Sequence, residues 1–471
     1  MDRWSSHIGF ILAAVGAAVG LGNIWRFSAV LGLNGGGAYL VPYFVAVFIF
    51  ALPLMVLEIT VGRRFRGTVV SAFASVRPQF RAIGWLLCAV SFLILSYYIV
   101  ITGWTIAYMF FSATGETVTF AGFTGSYWPV TYTIVSVLVT GLIVSAGVRE
   151  GIERLSAFLV PACVLILVIM VLYSTTLPGF SEGMRYFLTP DFSVLAQPGL
   201  WLAAFGQALF SLSVGEGILL TYGAYVAQDQ DLRKAALIIT IADVSVALLA
   251  GIVIFPVVFS YGLSPAIGSE LAFTTLPLAF SVMPGGRLFA TAFFALLLFA
   301  AITSSVSMLE VCVAAVREAA GWARKKTAAI MTGILLLTAL LPALSYSAMR
   351  LSLFGVPLLD FMDETVGTLG LHIVAILLAV VFTAFVPPST FWSELGGGTL
   401  LNRCIFALCR YLIPAALLLT VAAEVAAGMH MPALSFIPGT QYIGTVLQAG
   451  GVAFFVFLIV IVIIIVRKLL K

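Results

Sequence analysis

The feature that most constrains this chain is a series of long apolar segments, each about the length of a membrane-crossing helix. Apolar residues make up 62% of the 471 residues and charged residues only 9%, against about 45–50% and about 25% in soluble domains. A soluble fold has no interior large enough to bury so many apolar residues, so lipid must cover most of the apolar surface. We therefore predict an all-α polytopic membrane protein with 12 transmembrane helices. The predicted spans are 8–30, 38–62, 84–111, 130–147, 154–174, 199–228, 232–260, 287–320, 326–346, 357–386, 402–427 and 443–466.

The distribution of basic residues predicts the orientation of these spans. Of the 23 lysines and arginines, 19 fall on one side if the spans alternate, Arg185, Arg287 and Arg350 fall on the other, and Arg26 lies inside span 1. Cytoplasmic segments carry such an excess, so both termini are predicted to be cytoplasmic in a multi-pass plasma-membrane protein. A net charge of +4 is too small to indicate a nucleic-acid partner.

Two of the predicted spans contain an internal stretch of residues that are unfavourable in a continuous helix facing lipid. Span 1 contains GAAVGLGNIWR (16–26) and span 6 contains QALFSLSVGEG (207–217). Glycine weakens helices, and Asn, Ser and Glu are costly against lipid. At about 1.5 Å per residue both stretches lie near mid-bilayer, so they predict breaks whose backbone lines a watered cavity. Gly16-xxx-Gly20 is also a helix-packing pattern; the second break at the matching place favours an interruption.

Interrupted helices at matching places in two halves indicate the binding site of a transporter built from inverted repeats. Spans 1 and 6 would be equivalent members of two five-helix repeats of opposite topology. This predicts a first repeat at 1–174, a second at 199–386, and an accessory region at 402–471 that holds spans 11 and 12 and a cytoplasmic C-terminus.

Four sequence stretches resemble the motifs of one protein family, in the same order and at the same spacing. They are GAAVGLGNIWRF (16–27), NGGGAYLVPY (34–43), GQALFSLSVGEGILLTYGAYV (206–226) and AAITSSVSMLE (300–310). The chain resembles the neurotransmitter:sodium symporter family, in its prokaryotic amino-acid branch. The resemblance implies a 5+5 inverted-repeat fold, two sodium ions, no organic cofactor, and alternating-access symport of a small amino acid or related amine.

The resemblance also implies ligands for the two sodium ions. The first site would use Ala18, Asn23, Ser211 and Asp243, and the second Gly16, Val19, Ala300, Thr303 and Ser304. A carboxylate near the bilayer midplane is expensive unless a cation compensates it, which favours a functional role for Asp243. The alternative for the Thr303 and Ser304 hydroxyls is that they bond back to their own helix.

The substrate site is implied in the same way. Its carboxylate and amine would meet Ala18, Gly22, Tyr98, Phe210 and Ser211, and its side chain would meet Ile94, Ser213, Glu216, Ser304 and Met308. A tyrosine in a span is otherwise a packed aromatic. Glu216 falls where members with apolar substrates place Phe or Met. Its carboxylate either faces the pocket and favours a small polar or cationic substrate, because burying it unpaired is expensive, or caps the free amides of the broken helix.

Gate residues are also implied by the resemblance. Arg26 and Asp360 match an outer ion pair, and Trp4, Tyr225 and Glu318 match the inner gate. The inner-gate arginine normally precedes the tryptophan by a few residues, whereas here Arg3 adjoins Trp4. The inner gate is therefore expected to be reorganised, or the N-terminus to be incomplete.

We make predictions for three further positions, Ala247, Glu58 and Glu310. Ala247 takes the place of the glutamate or serine that distinguishes chloride-independent from chloride-dependent members, so Asp243 could supply the negative charge. This predicts chloride-independent transport and leaves counter-movement of a proton open. Glu58 is expected to bond the unwound part of span 6, and Glu310 to lie close to water.

Other classes of function fit the sequence less well. A channel needs a polar face across the whole membrane, whereas the polar residues here cluster at mid-depth. A membrane enzyme has little support from three histidines without an HExxH motif or a nucleophile–base pair. A sodium-dependent sensor that binds its ligand without moving it stays open as an alternative.

Overall fold

Helices form almost all of the described structure. A computed structural model describes residues 3–263 and 271–430. In these ranges nine helices are long and apolar enough to cross a membrane without a sharp break. They are Gly36–Phe65, Pro78–Thr114, Trp128–Ala146, Val148–Ser174, Leu232–Ser260, Gly286–Ala320, Arg324–Ser345, Leu358–Ala384 and Leu400–Ala423. They correspond to predicted spans 2 to 5 and 7 to 11.

Span 1 is broken, as predicted. Its first half, α1 (His7–Ala18), begins at Ser6, whose hydroxyl accepts a hydrogen bond from the Gly9 amide at 2.9 Å, a normal N-cap. Its second half, α2 (Gly22–Leu33), is bent from α1 by 54°. The first five residues of α2 form a π-helical turn, a feature frequent at functional sites.

Span 6 is also broken, with a longer interruption. Its halves are α3 (Pro198–Ser211) and α4 (Ile218–Ala224). Between them Ser213, Gly215 and Gly217 have φ angles of 49°, 94° and 76°, in the left-handed region that a right-handed helix cannot contain. A Cβ on Gly215 would lie 2.9 Å from the Ala375 Cβ. Only glycine fits this conformation and this space.

Short elements connect the spans. Helices or turns lie at Val69–Val76, Phe120–Thr124, Phe180–Leu188, Phe192–Ala196, Leu271–Thr275, Leu276–Val282 and Pro388–Glu394. One small antiparallel hairpin pairs Ser352–Leu353 with Val356–Pro357, and the helix of span 11 continues to His430.

These elements confirm an all-α polytopic fold with helices 1 and 6 unwound. The predicted span 12 lies outside the described residues, so the count of twelve stays a prediction. The boundaries of the two repeats and of the accessory region stay predictions as well.

The two breaks meet at the centre of the bundle. Ser213 donates a hydrogen bond to the Ala17 carbonyl at 3.0 Å, which joins the break of span 6 to the end of α1. Span 3 reaches the same place through Tyr98, whose hydroxyl accepts from the Leu21 amide at 3.2 Å, and span 8 through Ser304, which donates to Ala17 at 3.1 Å. Polar groups freed by the breaks are therefore bonded to neighbouring spans rather than left to lipid.

Candidate functional site

A buried carboxylate lies between the two breaks. One oxygen of Asp243 accepts a hydrogen bond from the Asn23 amide at 2.6 Å, and the other accepts from the Ser211 hydroxyl at 2.9 Å. Asn23 also donates to the Ser211 hydroxyl at 2.8 Å. Asn23 and Asp243 are fully buried. Three of the four residues implied for the first sodium ion are thus in direct contact, around a negative charge whose described partners are neutral.

The second implied sodium site brings together the end of α1 and span 8. The Thr303 hydroxyl donates to carbonyls of its own helix, Phe299 at 3.1 Å and Ala300 at 3.0 Å. The Ser304 hydroxyl is within bonding distance of both the Ala300 and Ala17 carbonyls. A Cβ on Gly16 would lie 3.3 Å from Thr303, so the helices adjoin here. Hydroxyl and carbonyl oxygens of the kind that hard cations prefer are therefore close together.

Beside these residues lies a cavity between the breaks. Its empty space, open mouth included, is about 300 Å³. Every residue implied for the substrate except Ser211 lines it, and Gly20 and Asn23 join them. The lining residues are Ala18, Gly20, Gly22, Asn23, Ile94, Tyr98, Phe210, Ser213, Glu216, Ser304 and Met308.

Side chains from spans 1 and 6 lie over one side of this cavity. Arg26 lies 4.8 Å from the centre of the Phe210 ring and donates to the Gln207 side chain at 3.1 Å. Gln207 in turn donates to the Gly22 carbonyl at 2.9 Å. Asp360, the predicted partner of Arg26, instead accepts from the Tyr346 hydroxyl at 2.9 Å. The implied outer pair is therefore not formed in this conformation, and Arg26 is held by span 6.

The N-terminal residues close the opposite side. The Trp4 ring donates to the Tyr222 carbonyl at 3.0 Å and packs edge-on against the Tyr222 and Tyr225 rings. The Tyr225 hydroxyl donates to Glu310 at 3.1 Å, whereas the predicted inner-gate residue Glu318 accepts from the Thr68 amide. Trp4 and Tyr225 are thus brought together, and the described bond of Glu318 is to Thr68.

Glu310 corrects one expectation. It was expected close to water, but its side chain is fully buried and forms an ion pair with Arg324 at 2.5 Å. Arg324 follows in the next span, and nothing in the sequence around Glu310 announces this partner.

Two other polar residues differ in how far the sequence revealed them. Glu58 accepts from the Gly215 amide at 2.5 Å, which confirms its predicted bond to the unwound part of span 6. Gln207 is not among the site residues predicted from the sequence, yet its side chain links α2 to α3. A signal was available, since Gln207 is the first residue of the interrupted stretch predicted in span 6, and a glutamine there is costly against lipid.

A comparison with protein families matches most of the chain. The model of the sodium:neurotransmitter symporter family matches residues 1–122 and 120–470. The sodium-dependent transporter YhdH of Bacillus subtilis is 34% identical over 437 residues, covering 88% of this chain and 96% of that protein. The sodium-dependent transporter MJ1319 of Methanocaldococcus jannaschii is 35% identical and covers 81% of each chain.

A more distant relative and a solved structure are also similar to this chain. The sodium-dependent serotonin transporter of Drosophila melanogaster is 28% identical, covering 83% of this chain and 69% of that protein. The crystal structure of MhsT in complex with L-phenylalanine has a TM-score of 0.83 and 36% sequence identity. It covers 90% of this chain and 99% of that one.

Proposed function

The chain belongs to the sodium:neurotransmitter symporter family, and from that premise we propose that it couples the entry of sodium to the uptake of a small amino acid or related amine. Its membership of a family of sodium-dependent transporters confirms the prediction of a transporter rather than an enzyme. The substrate, the ion stoichiometry and the transport cycle belong to the proposal.

The contact between Asn23, Ser211 and Asp243 is the observation that carries the proposal. A carboxylate removed from water is costly unless a charge or hydrogen bonds compensate it. Asp243 receives hydrogen bonds from two neutral side chains, and the described residues offer it no ion pair. A bound sodium ion would supply the missing positive charge. The carbonyls and hydroxyls near Thr303 and Ser304 would hold a second ion.

The cavity adjoining these residues would hold the substrate. Gly22 and Tyr98 line it beside the ends of helices freed by the breaks, where backbone amides and a phenol hydroxyl suit a carboxylate. An amino-acid substrate is supported by the solved relative, which is in complex with L-phenylalanine. Phe210 and Arg26 on one side and Trp4 on the other would alternate in opening.

The proposed cycle places both termini in the cytoplasm and the protein in the plasma membrane, as the basic residues favour. The repeats at 1–174 and 199–386 would move against each other around the site, with 402–471 as an accessory region. Alternating access of this kind is typical of inverted-repeat transporters.

We propose further that transport does not require chloride. Ala247, one turn from Asp243, is fully buried and has no hydroxyl to donate to an anion. The fixed negative charge of Asp243 also disfavours a second anion nearby, because like charges repel strongly at low dielectric.

Uptake by purified protein in liposomes tests the whole proposal. A screen of radiolabelled amino acids and amines should find one whose saturable uptake needs an inward sodium gradient and persists when gluconate replaces chloride. Loss of uptake in gluconate would contradict chloride independence alone. Sodium-dependent binding without flux would favour the sensor, and non-saturable sodium flux without substrate would favour a channel.

A further inference from the structure

Glu216 lies in the break of span 6 with its carboxylate at the cavity. Its side chain is only 3% exposed and lines the cavity wall. Its backbone is held between Gly215 and Gly217, both with positive φ, and its carbonyl accepts from the Ser91 hydroxyl at 2.5 Å. The backbone of Glu216 is therefore held in place beside the cavity.

The Glu216 carboxylate has no compensating partner in the described part of the chain. Its Oε2 atom is buried without a hydrogen bond. The alternative role, capping amides freed by the break, is filled in part by Glu58, which accepts from the Gly215 amide. Buried polar groups are almost always bonded, so a carboxylate with an orphaned oxygen, on a residue that lines the cavity, points to a group that arrives with a ligand.

Polar groups of the protein around the cavity are engaged elsewhere. Ser213 and Ser304 both donate to the Ala17 carbonyl, the Tyr98 hydroxyl accepts from Leu21, and the Asn23 amide is taken by Ser211 and Asp243. The remaining large side chains in the wall are apolar: Ile94, Phe210 and Met308. Among the residues that the structure describes, no lysine or arginine lines the cavity.

We propose that the transported substrate is an amino acid with a short cationic side chain, whose ammonium group pairs with Glu216. This inference rests on the proposed symport. Charge-assisted hydrogen bonds are the strong ones, and an ammonium offers three donors to a carboxylate. The empty space of about 300 Å³, open mouth included, favours short chains such as those of 2,4-diaminobutyrate and ornithine.

The three buried carboxylates that lie in the breaks or bond to residues of the breaks support the same substrate. Glu58, Glu216 and Asp243 are all at most 3% exposed, and the hydrogen bonds that the described residues make to their side chains come from neutral groups. Two sodium ions and one side-chain ammonium would balance three carboxylates, because the α-amino and α-carboxyl groups of the substrate cancel. A neutral side chain would leave one buried negative charge uncompensated.

The test is a binding and uptake series on the full-length protein. Ornithine is compared with norvaline, which has the same carbon chain without the ammonium group, and with glutamine, leucine and phenylalanine, each in sodium and in choline. We expect ornithine to bind in sodium at least about tenfold more tightly than norvaline. Glu216→Gln and Glu216→Met should remove this preference, and Glu216→Met should favour norvaline.

The exposed carboxylate of Glu150, which pairs with Arg154 on the surface, gives a matched control. Glu150→Gln should keep the preference for ornithine. Norvaline binding as tightly as ornithine to the natural protein, or a preference for ornithine that survives in both Glu216 variants, would overturn the inference. Sodium-dependent uptake of a neutral amino acid in that case would leave the proposed symport standing, whereas no sodium-dependent ligand at all would refute the symport itself.

Discussion

Replacing Asp243 with asparagine should strongly weaken sodium binding at the first of the two proposed sites while preserving the fold. The substitution keeps the shape of the side chain and removes its charge. Asn23 and Ser211 donate to this carboxylate, and the carbonyl oxygen of the new amide can still accept one of these bonds. What disappears is the attraction between the carboxylate and a bound cation.

The size of the effect follows from Coulomb's law. Two unit charges 4 Å apart attract by about 4 kcal/mol at an effective dielectric constant of about 20, which is a factor of about 1,000 in a binding constant. Because the amide oxygen can still ligate a cation, we expect a sodium affinity lower by about 30-fold to about 1,000-fold. Without sodium the variant should be at least as stable as the natural protein, because a buried uncompensated charge has been removed.

Thermal unfolding in sodium and in choline measures both effects. A ligand at 100 times its Kd stabilises a protein by about 2.7 kcal/mol, and the same concentration of a ligand bound 100-fold more weakly stabilises it by about 0.4 kcal/mol. The part of the sodium-dependent rise in Tm that comes from the first site should therefore fall to a small fraction in Asp243→Asn, and the rise that remains would come from the second site. The exposed loop carboxylate of Asp191 supplies the control, Asp191→Asn, which should keep the full rise. A sodium response unchanged in Asp243→Asn would refute the assignment of this carboxylate to a sodium site.

Three further substitutions test other parts of the site. Tyr98→Phe removes the hydroxyl at the cavity and should weaken substrate binding about tenfold while the Tm shift from sodium alone persists; unchanged substrate affinity would contradict the proposed contact. Gly215→Ala places a Cβ 2.9 Å from Ala375 at a φ of 94°, so uptake and Tm should both fall, by at least about 1 kcal/mol in stability; full uptake would show that the break tolerates a side chain. Glu310→Gln breaks the buried ion pair with Arg324 and should lower stability by about 3 kcal/mol, the low end for buried pairs, because the Arg324 side chain is 13% exposed; an unchanged Tm would show that the pair contributes little.

The sequence by itself revealed the spans and the breaks because both depend on local properties. A run of apolar residues long enough to cross lipid is visible without knowing its neighbours. The cluster of Gly, Asn, Ser and Glu inside spans 1 and 6 marks a failing helix in the same way. The prediction of a functional role for Asp243 also depended on a local property, since a carboxylate within a span is expensive wherever it packs.

Partner choice, in contrast, was decided by tertiary structure. Arg26 matched a pair with Asp360 but contacts Gln207 and Phe210, and Glu310 was expected near water but is sealed against Arg324. The sequence favoured neither of the two roles for Glu216, facing the cavity or capping a helix. In the structure Glu216 lines the cavity, and the Gly215 amide donates to Glu58 instead. These contacts join residues distant in the chain, so they depend on how helices are rotated and packed, which the composition of any single helix does not specify.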